Sequence, residues 1–244
     1  MTVTIDPHQQ RILILDFGAQ YTQLIGRTVR ELGVYCEIFP WDVDYQHIED
    51  FDPKGIILSG GPASTYDTDT PKAPQQLFQS GLPVLGICYG MQTMVDQLGG
   101  RVENADHREY GHATISTNSD CRLLGSRGHE LDVWMSHGDR VTALPEGFSV
   151  VASSSNSPYA AVADESRHYY GVQFHPEVTH TIEGKQLLSR FVHEICDCDS
   201  DWMPANIILS LIAEVQEKVG GDDVILGLSG GVDSSVVAAL LHRA

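Results

Sequence analysis

The strongest constraint on the fold is an alternation that runs through the first hundred residues. Short apolar runs are each followed by a turn and then by a helical pattern. "RILILDFG" (11–18), "VYCEIF" (34–39), "GIILSGGP" (55–62) and "PVLGIC" (83–88) read as buried strands. Helical stretches lie between and after them. Residues 19–32 place Leu24, Thr28 and Leu32 at helical spacing, and further stretches fall near 72–80 and in "GMQTMVDQLGG" (90–100). Repeated β–α units predict the doubly wound α/β class, a mostly parallel sheet with helices on both faces.

Beyond Gly100 the pattern changes. "HELDVWM", "FSVVASS", "AAVAD" and "YYGVQF" are short β-type runs separated by Gly, Pro, Asn and Ser turns, expected as mixed or antiparallel additions to the same domain. A helix is predicted over 182–196, with Ile182, Leu187, Leu188, Phe191, Val192 and Ile195 as its apolar positions. "CDCDSDWMP" reads as an acidic linker closed by Pro204. Helix 205–219, strand 222–231 and helix 233–243 then begin a second α/β unit. One helix–strand–helix cannot bury its own sheet, so this unit is expected to be cut short at "LLHRA". The domain reading is 1–201 and 202–244.

Composition narrows the classes of partner. A formal charge of −18 without a Lys/Arg run repels a polyanion, so nucleic acid is not expected. No apolar run approaches a membrane span, and "MTVTIDPHQQR" lacks the apolar core of a signal peptide. Five cysteines without framework spacing read as reduced thiols in a cytoplasmic protein.

The chemistry collects at glycine turns. "GICYG" (86–90) joins a strand to a helix in the form of a nucleophile elbow. Gly86 and Gly90 let the turn close, and the helix start favours a Cys88 thiolate. The alternative is a Cys88 that merely fills core space. "QFHPE" supplies a base, His175, and a carboxylate two residues on, Glu177. His175 alone reads as a satisfied polar residue, and its conjunction with the elbow turns the reading toward catalysis. "LSGGP" (58–62) is either a plain turn or a set of bare N–H groups for an oxyanion, on the same sheet edge as the elbow. "LGLSGGVDSS" (226–235) can cradle a phosphate at a helix start, although it has no G-K-[ST] of a Walker A loop. His193, Cys196 and Cys198 fall short of zinc spacing, so no metal site is expected.

"SGGP", "GICYGMQ" and "GVQFHPE", in that order, resemble the triad-type class I glutamine amidotransferases, and the likeness covers about residues 11–201. The resemblance implies that Cys88 attacks the glutamine carboxamide and forms a glutamyl thioester. It makes His175 general base and acid, and Glu177 its orienter. It also implies oxyanion donors at Gly60 and Tyr89, with Gly61 in the same turn. Gln92 and the stretch Ser136, His137, Gly138 and Asp139 become glutamine-binding elements, and hydrolysis needs no cofactor. The loop at 226–235 resembles the PP-loop of ATP pyrophosphatases. That implies ATP with Mg²⁺, its pyrophosphate surrounded by Ser229, Gly230, Gly231, Val232, Asp233, Ser234 and Ser235. The two together resemble glutamine-hydrolysing ligases that aminate ATP-activated xanthosine 5′-phosphate and form homodimers through a C-terminal domain. The alternatives are the amidotransferase part of another glutamine-fed ligase, such as a CTP synthase or a carbamoyl-phosphate synthase, and a non-catalytic docking domain of the same fold.

Overall fold

In a computed structural model, which describes residues 6–65 and 69–244 (side chains of 105–107 excepted), the apolar runs become one sheet. Part of the stretch read above for a signal peptide, residues 1–5, lies outside the described residues. The strands are β1 (Arg11–Asp16), β2 (Tyr35–Pro40), β3 (Gly55–Leu58), β4 (Val84–Ile87), β5 (Arg101–Thr117), β6 (Glu130–Ala143), β7 (Ser149–Ser153), β8 (Ala161–Asp164) and β9 (Tyr169–Val172). Their spatial order is β2-β1-β3-β4-β9-β8-β7-β5-β6. Pairing is parallel from β2 through β9 and antiparallel from β9 outward to β6.

Successive side chains of a strand point to opposite faces, and β1 shows why its run has no polar alternation. Ile12 and Ile14 pack with Ile25 and Val29 of helix α1 (Thr22–Glu31) and with Leu187 and Leu188 of a later helix on one face. Leu13 and Leu15 pack on the other face with Ile48 and Phe51 of α2 (Tyr45–Phe51) and with Tyr89 and Met94 of α3 (Tyr89–Gln97). Each such side chain removed from water contributes about 1.5–3 kcal/mol, so both faces must be apolar to hold their helices. The later helix is α4 (Gly184–Ser189), which continues as a π-helical turn, Arg190–Ile195.

Outside the antiparallel arm, three elements differ from expectation. The helix expected near 72–80 is only a 3₁₀ turn, Gln75–Gln79, between Pro74 and Gly81. Helix α2, started by Asp44 accepting from Gln46 N at 3.0 Å, spans 7 residues and is too short to show a period. The strand expected over 222–231 has no regular structure and no ladder partner among the described residues, and Ile225 is 98% exposed. A strand is held by neighbours that take its N–H and C=O groups, and this segment pairs with none.

Two compact units result, one of Gln10–Asp199 and one of Ser200–Ala244 with the described residues before Gln10. The second contains α5 (Pro204–Val219) and α6 (Val232–Arg243), which touch each other and bury no residue fully. Among the described residues no helix is long and apolar enough to cross a membrane.

Candidate active site

Strand β4 runs into α3 through Cys88, whose backbone sits at φ 52°, ψ −108°. A residue with a Cβ is strained there, so the surrounding structure must impose the turn. It does so from both sides of the cysteine. Cys88 N donates to Val172 O at 2.8 Å, and Gln92 N donates to Cys88 O at 3.1 Å. The flanking glycines permit the approach: a Cβ on Gly86 would stand 2.6 Å from Met91 N, and one on Gly90 would stand 2.2 Å from Leu58 O. The result is a thiol at the start of α3, where unpaired N–H groups favour negative charge.

His175 is placed by the chain running on from β9. Its N–H donates to Trp134 O of β6 at 3.0 Å. Its Nδ1 lies 2.7 Å from Glu177 Oε1 and donates to that carboxylate, which leaves Nε2 for the Cys88 sulfur. Burial alone would lower the affinity of this imidazole for a proton. The hydrogen bonds and charges of Cys88 and Glu177 outweigh burial and push it up to about 10. Glu177 Oε2 is buried and makes no hydrogen bond, which leaves the imidazole as the carboxylate's strong partner. A Cβ on Gly60 would lie 3.2 Å from His175 Cε1 and 3.8 Å from Cys88 Cβ, so the bare Gly60 backbone sits against both.

A cleft of about 460 Å³ between α1 and residues 177–180 reaches Glu177 but not the thiol. A smaller cleft of about 350 Å³ holds Cys88, Gln92, Arg108 and residues 136–139 and has room for an amino acid. Gln92 is buried in its wall, with Nε2 donating to Asp139 O at 3.0 Å and to Gln173 Oε1 at 3.2 Å. Cys88 Sγ donates to Ser136 O at 3.6 Å. Gly61 lines the cleft and backs onto Phe17 O and the Tyr89 ring, while the Tyr89 hydroxyl donates to Pro71 O at 2.7 Å.

The structure therefore brings together Cys88, His175, Glu177, Gly60, Gly61, Tyr89, Gln92 and 136–139. Ser229–Ser235 belong to the other unit. There Gly230 has φ +81°, Ser229 Oγ lies 3.1 Å from Ser234 Oγ, and Ser235 Oγ donates to Gly231 O at 2.8 Å at the start of α6. Cys196 and Cys198 are buried and unpaired, and His193 Nδ1 donates to the Cys198 carbonyl at 2.6 Å. Gln173, with Nε2 3.8 Å from the Cys88 sulfur, escapes the motif reading. Strand alternation could have found it, since residue 173 lies two before His175. Arg108 and Glu109 also escape, because they stand where β5 bulges against β6 and no sequence period marks a bulge.

Residues 13–195 match the family model of class-I glutamine amidotransferases, and the chain belongs to that family. Residues 205–244 match the model of NAD synthase. The chain is 60% identical over 250 residues to the glutamine-hydrolysing GMP synthase of Alkalilimnicola ehrlichii, an alignment covering 99% of this chain and 48% of that protein. It thus spans about half the length of the curated relatives it matches. A crystal structure from Thermoplasma acidophilum, described as that of a candidate GMP synthase component, superposes with a TM-score of 0.68 at 31% identity, covering 77% of this chain and 94% of that one. A glutamine amidotransferase from Thermotoga maritima shares the fold, with a TM-score of 0.57 at 21% identity over 97% of this chain and 98% of its own.

Proposed function

We propose that this chain hydrolyses glutamine at Cys88, and that the ammonia aminates xanthosine 5′-phosphate, activated by ATP, to give GMP. On this reading residues 1–201 are the amidotransferase domain and 202–244 begin an ATP pyrophosphatase domain. The observation that carries it is the line from a thiol on a forced turn, through His175, to Glu177 at 2.7 Å. His175 Nε2 already holds the proton given up by the thiol, and the Cys88 sulfur attacks the glutamine carboxamide carbon. Charge moving onto the carboxamide oxygen meets the N–H groups of Gly60 and Tyr89. Collapse expels ammonia, which takes the proton from His175, and leaves a glutamyl thioester. Water then attacks the thioester, His175 takes and returns its proton, and glutamate leaves.

In the second unit, the bare glycines and the start of α6 suit a polyphosphate. ATP is its proposed substrate, with Mg²⁺ arriving on the phosphates and residues 229–235 holding them. The 60% identity to a glutamine-hydrolysing GMP synthase and the match of 205–244 to NAD synthase support this pairing of activities. The proposed setting is the cytoplasm.

The direct test is covalent. An electrophilic glutamine analogue is expected to add one mass increment, on Cys88, with glutamine protecting; modification elsewhere or none at all overturns the reading. The roles of the other two residues separate by substitution. His175→Ala is expected to lower kcat on the order of 10³–10⁴-fold, and Glu177→Gln about 10–100-fold. A glutamine at 177 can still accept from Nδ1, and its amide nitrogen takes the place of Oε2, which bonds to nothing now. The reverse order in two folded variants would exchange the roles.

A further inference from the structure

Two buried polar atoms beside the cleft have no hydrogen-bond partner, His137 Nε2 and Glu109 Oε2. They face each other at 3.3 Å, with side chains only 4% and 13% exposed. Chemistry forces a conflict between them. Asp139 O lies 3.0 Å from His137 Nδ1, and a carbonyl only accepts, so Nδ1 carries a proton. In neutral imidazole Nε2 is then a lone pair, and it points at a carboxylate. Two acceptors opposed in a buried site repel. A single proton resolves the clash, either on Nε2 as imidazolium facing carboxylate or on Glu109 as carboxylic acid facing imidazole.

The position of the pair gives that proton a purpose. Asn104 of β5 stands opposite Asp139 of β6 and Glu109 opposite His137, so the four residues 105–108 oppose Gly138 alone. Glu109 and His137 close one end of this bulge. The bulge carries Arg108 into the cleft, with Nε 3.7 Å from where a Cβ on Gly138 would be. We propose that Glu109 is a positioning residue: it shares one proton with His137, and that proton clasps the β5 bulge onto the glutamine-binding stretch 136–139. The proposal rests on the glutaminase reading of the cleft.

Among the described residues, the charged and titratable groups around the clasp are Arg108 and Tyr110 on β5, Asp139 on β6, Cys88 at the start of α3, and His175 after β9. Burial lowers the proton affinity of His137 below the ordinary imidazole value, Glu109 works against burial, and the charge of His175 adds to the lowering. Rising pH therefore empties the clasp. The two acceptors then repel, and the wall formed by 136–139 loosens.

The test is Glu109→Gln, whose amide N–H donates to His137 Nε2 without any proton to lose. For the parent chain, KM for glutamine is expected to rise about tenfold between about pH 5 and pH 9, the effect of losing one charge-assisted hydrogen bond. For Glu109→Gln the profile is expected to flatten to within about twofold, while Glu109→Ala has the raised KM at every pH. ¹⁵N spectra of the histidines supply a readout independent of turnover. Nδ1 of His137 should stay protonated throughout, and the titration of its Nε2 should move to lower pH in Glu109→Gln. A Glu109→Gln profile parallel to the parent's, or an Nε2–H tautomer of neutral His137, overturns the proposal. A chain that hydrolyses no glutamine yet shows the shared-proton titration defeats the glutaminase reading and leaves the clasp standing.

Discussion

Cys88→Ala yields a folded chain in which glutamine hydrolysis falls by a factor on the order of 10⁴ or more, the usual consequence of removing a covalent nucleophile. The fold survives because the strain at φ 52° arises from having a Cβ, which alanine keeps. The thiol's own hydrogen bond, to Ser136 O at 3.6 Å, is weak, so its loss moves the melting temperature by no more than about 2–4 °C. The same variant reports on His175. The hydrogen bond and charge of Cys88 help raise that imidazole against burial, so without them its pKa falls from about 10 toward the ordinary value. Ammonia release, a thermal melt and histidine NMR measure the three effects. Near-parent hydrolysis by the folded variant would remove Cys88 from the mechanism, and an unmoved His175 would uncouple the pair.

How much of this was legible in the sequence depended on which force shapes each element. The parallel strands were legible because both faces are buried, and a run such as Ile12–Leu15 has no solvated side to break it. The antiparallel arm was read only in fragments. β5 and β6 run for 17 and 14 residues, but one face of β6 is partly exposed and carries Trp134, Ser136 and Gly138 amid buried neighbours. "SHGD" lies just past the expected run "HELDVWM" and is the middle of the same strand. The segment 222–231 shows the opposite limit. Its apolar content satisfies the pattern of a strand, yet pairing depends on neighbours that no local pattern supplies.

The candidate site divides along the same line. Cys88, His175 and Glu177 could be named because a sharp turn leaves a glycine signature and because the acceptor for His175 Nδ1 lies only two residues on. Gln173, Arg108 and Glu109 enter only through tertiary placement. Gln173 joins the cleft by way of Gln92, 81 positions away, and Arg108 and Glu109 by way of a register shift. Motifs mark where the backbone is forced into a rare conformation. Walls built from ordinary strand residues carry no such mark.

Gly90→Ala is expected to unsettle both the fold and the chemistry, although helix propensity argues the other way. Alanine in the first turn of α3 gains about 1 kcal/mol over glycine when there is room for it. Here there is none. The new Cβ would lie 2.2 Å from Leu58 O, 2.7 Å from its carbonyl carbon and 2.8 Å from its Cβ. Those atoms end β3, which is hydrogen-bonded to β1 on one side and β4 on the other and cannot swing away as a flexible side chain would. Overpacking ordinarily costs about 1–3 kcal/mol, and a rigid backbone obstacle takes it to the upper end or beyond. Sterics therefore win by about 2 kcal/mol, a fall of roughly 4–8 °C in melting temperature for a unit of this size. The relief available is for the start of α3 to withdraw from the end of β3. That carries Cys88 and Tyr89 away from Gly60 and His175, so hydrolysis should drop by about 10²-fold or more even below the melting transition. Gly138→Ala provides the contrast, because among the described residues its Cβ meets nothing nearer than Arg108 Nε at 3.7 Å, and its stability should stay within about 0.5 kcal/mol of the parent. A Gly90→Ala chain that melts with the parent and turns over normally would mean that the close approach of α3 to β3 is not what shapes the elbow.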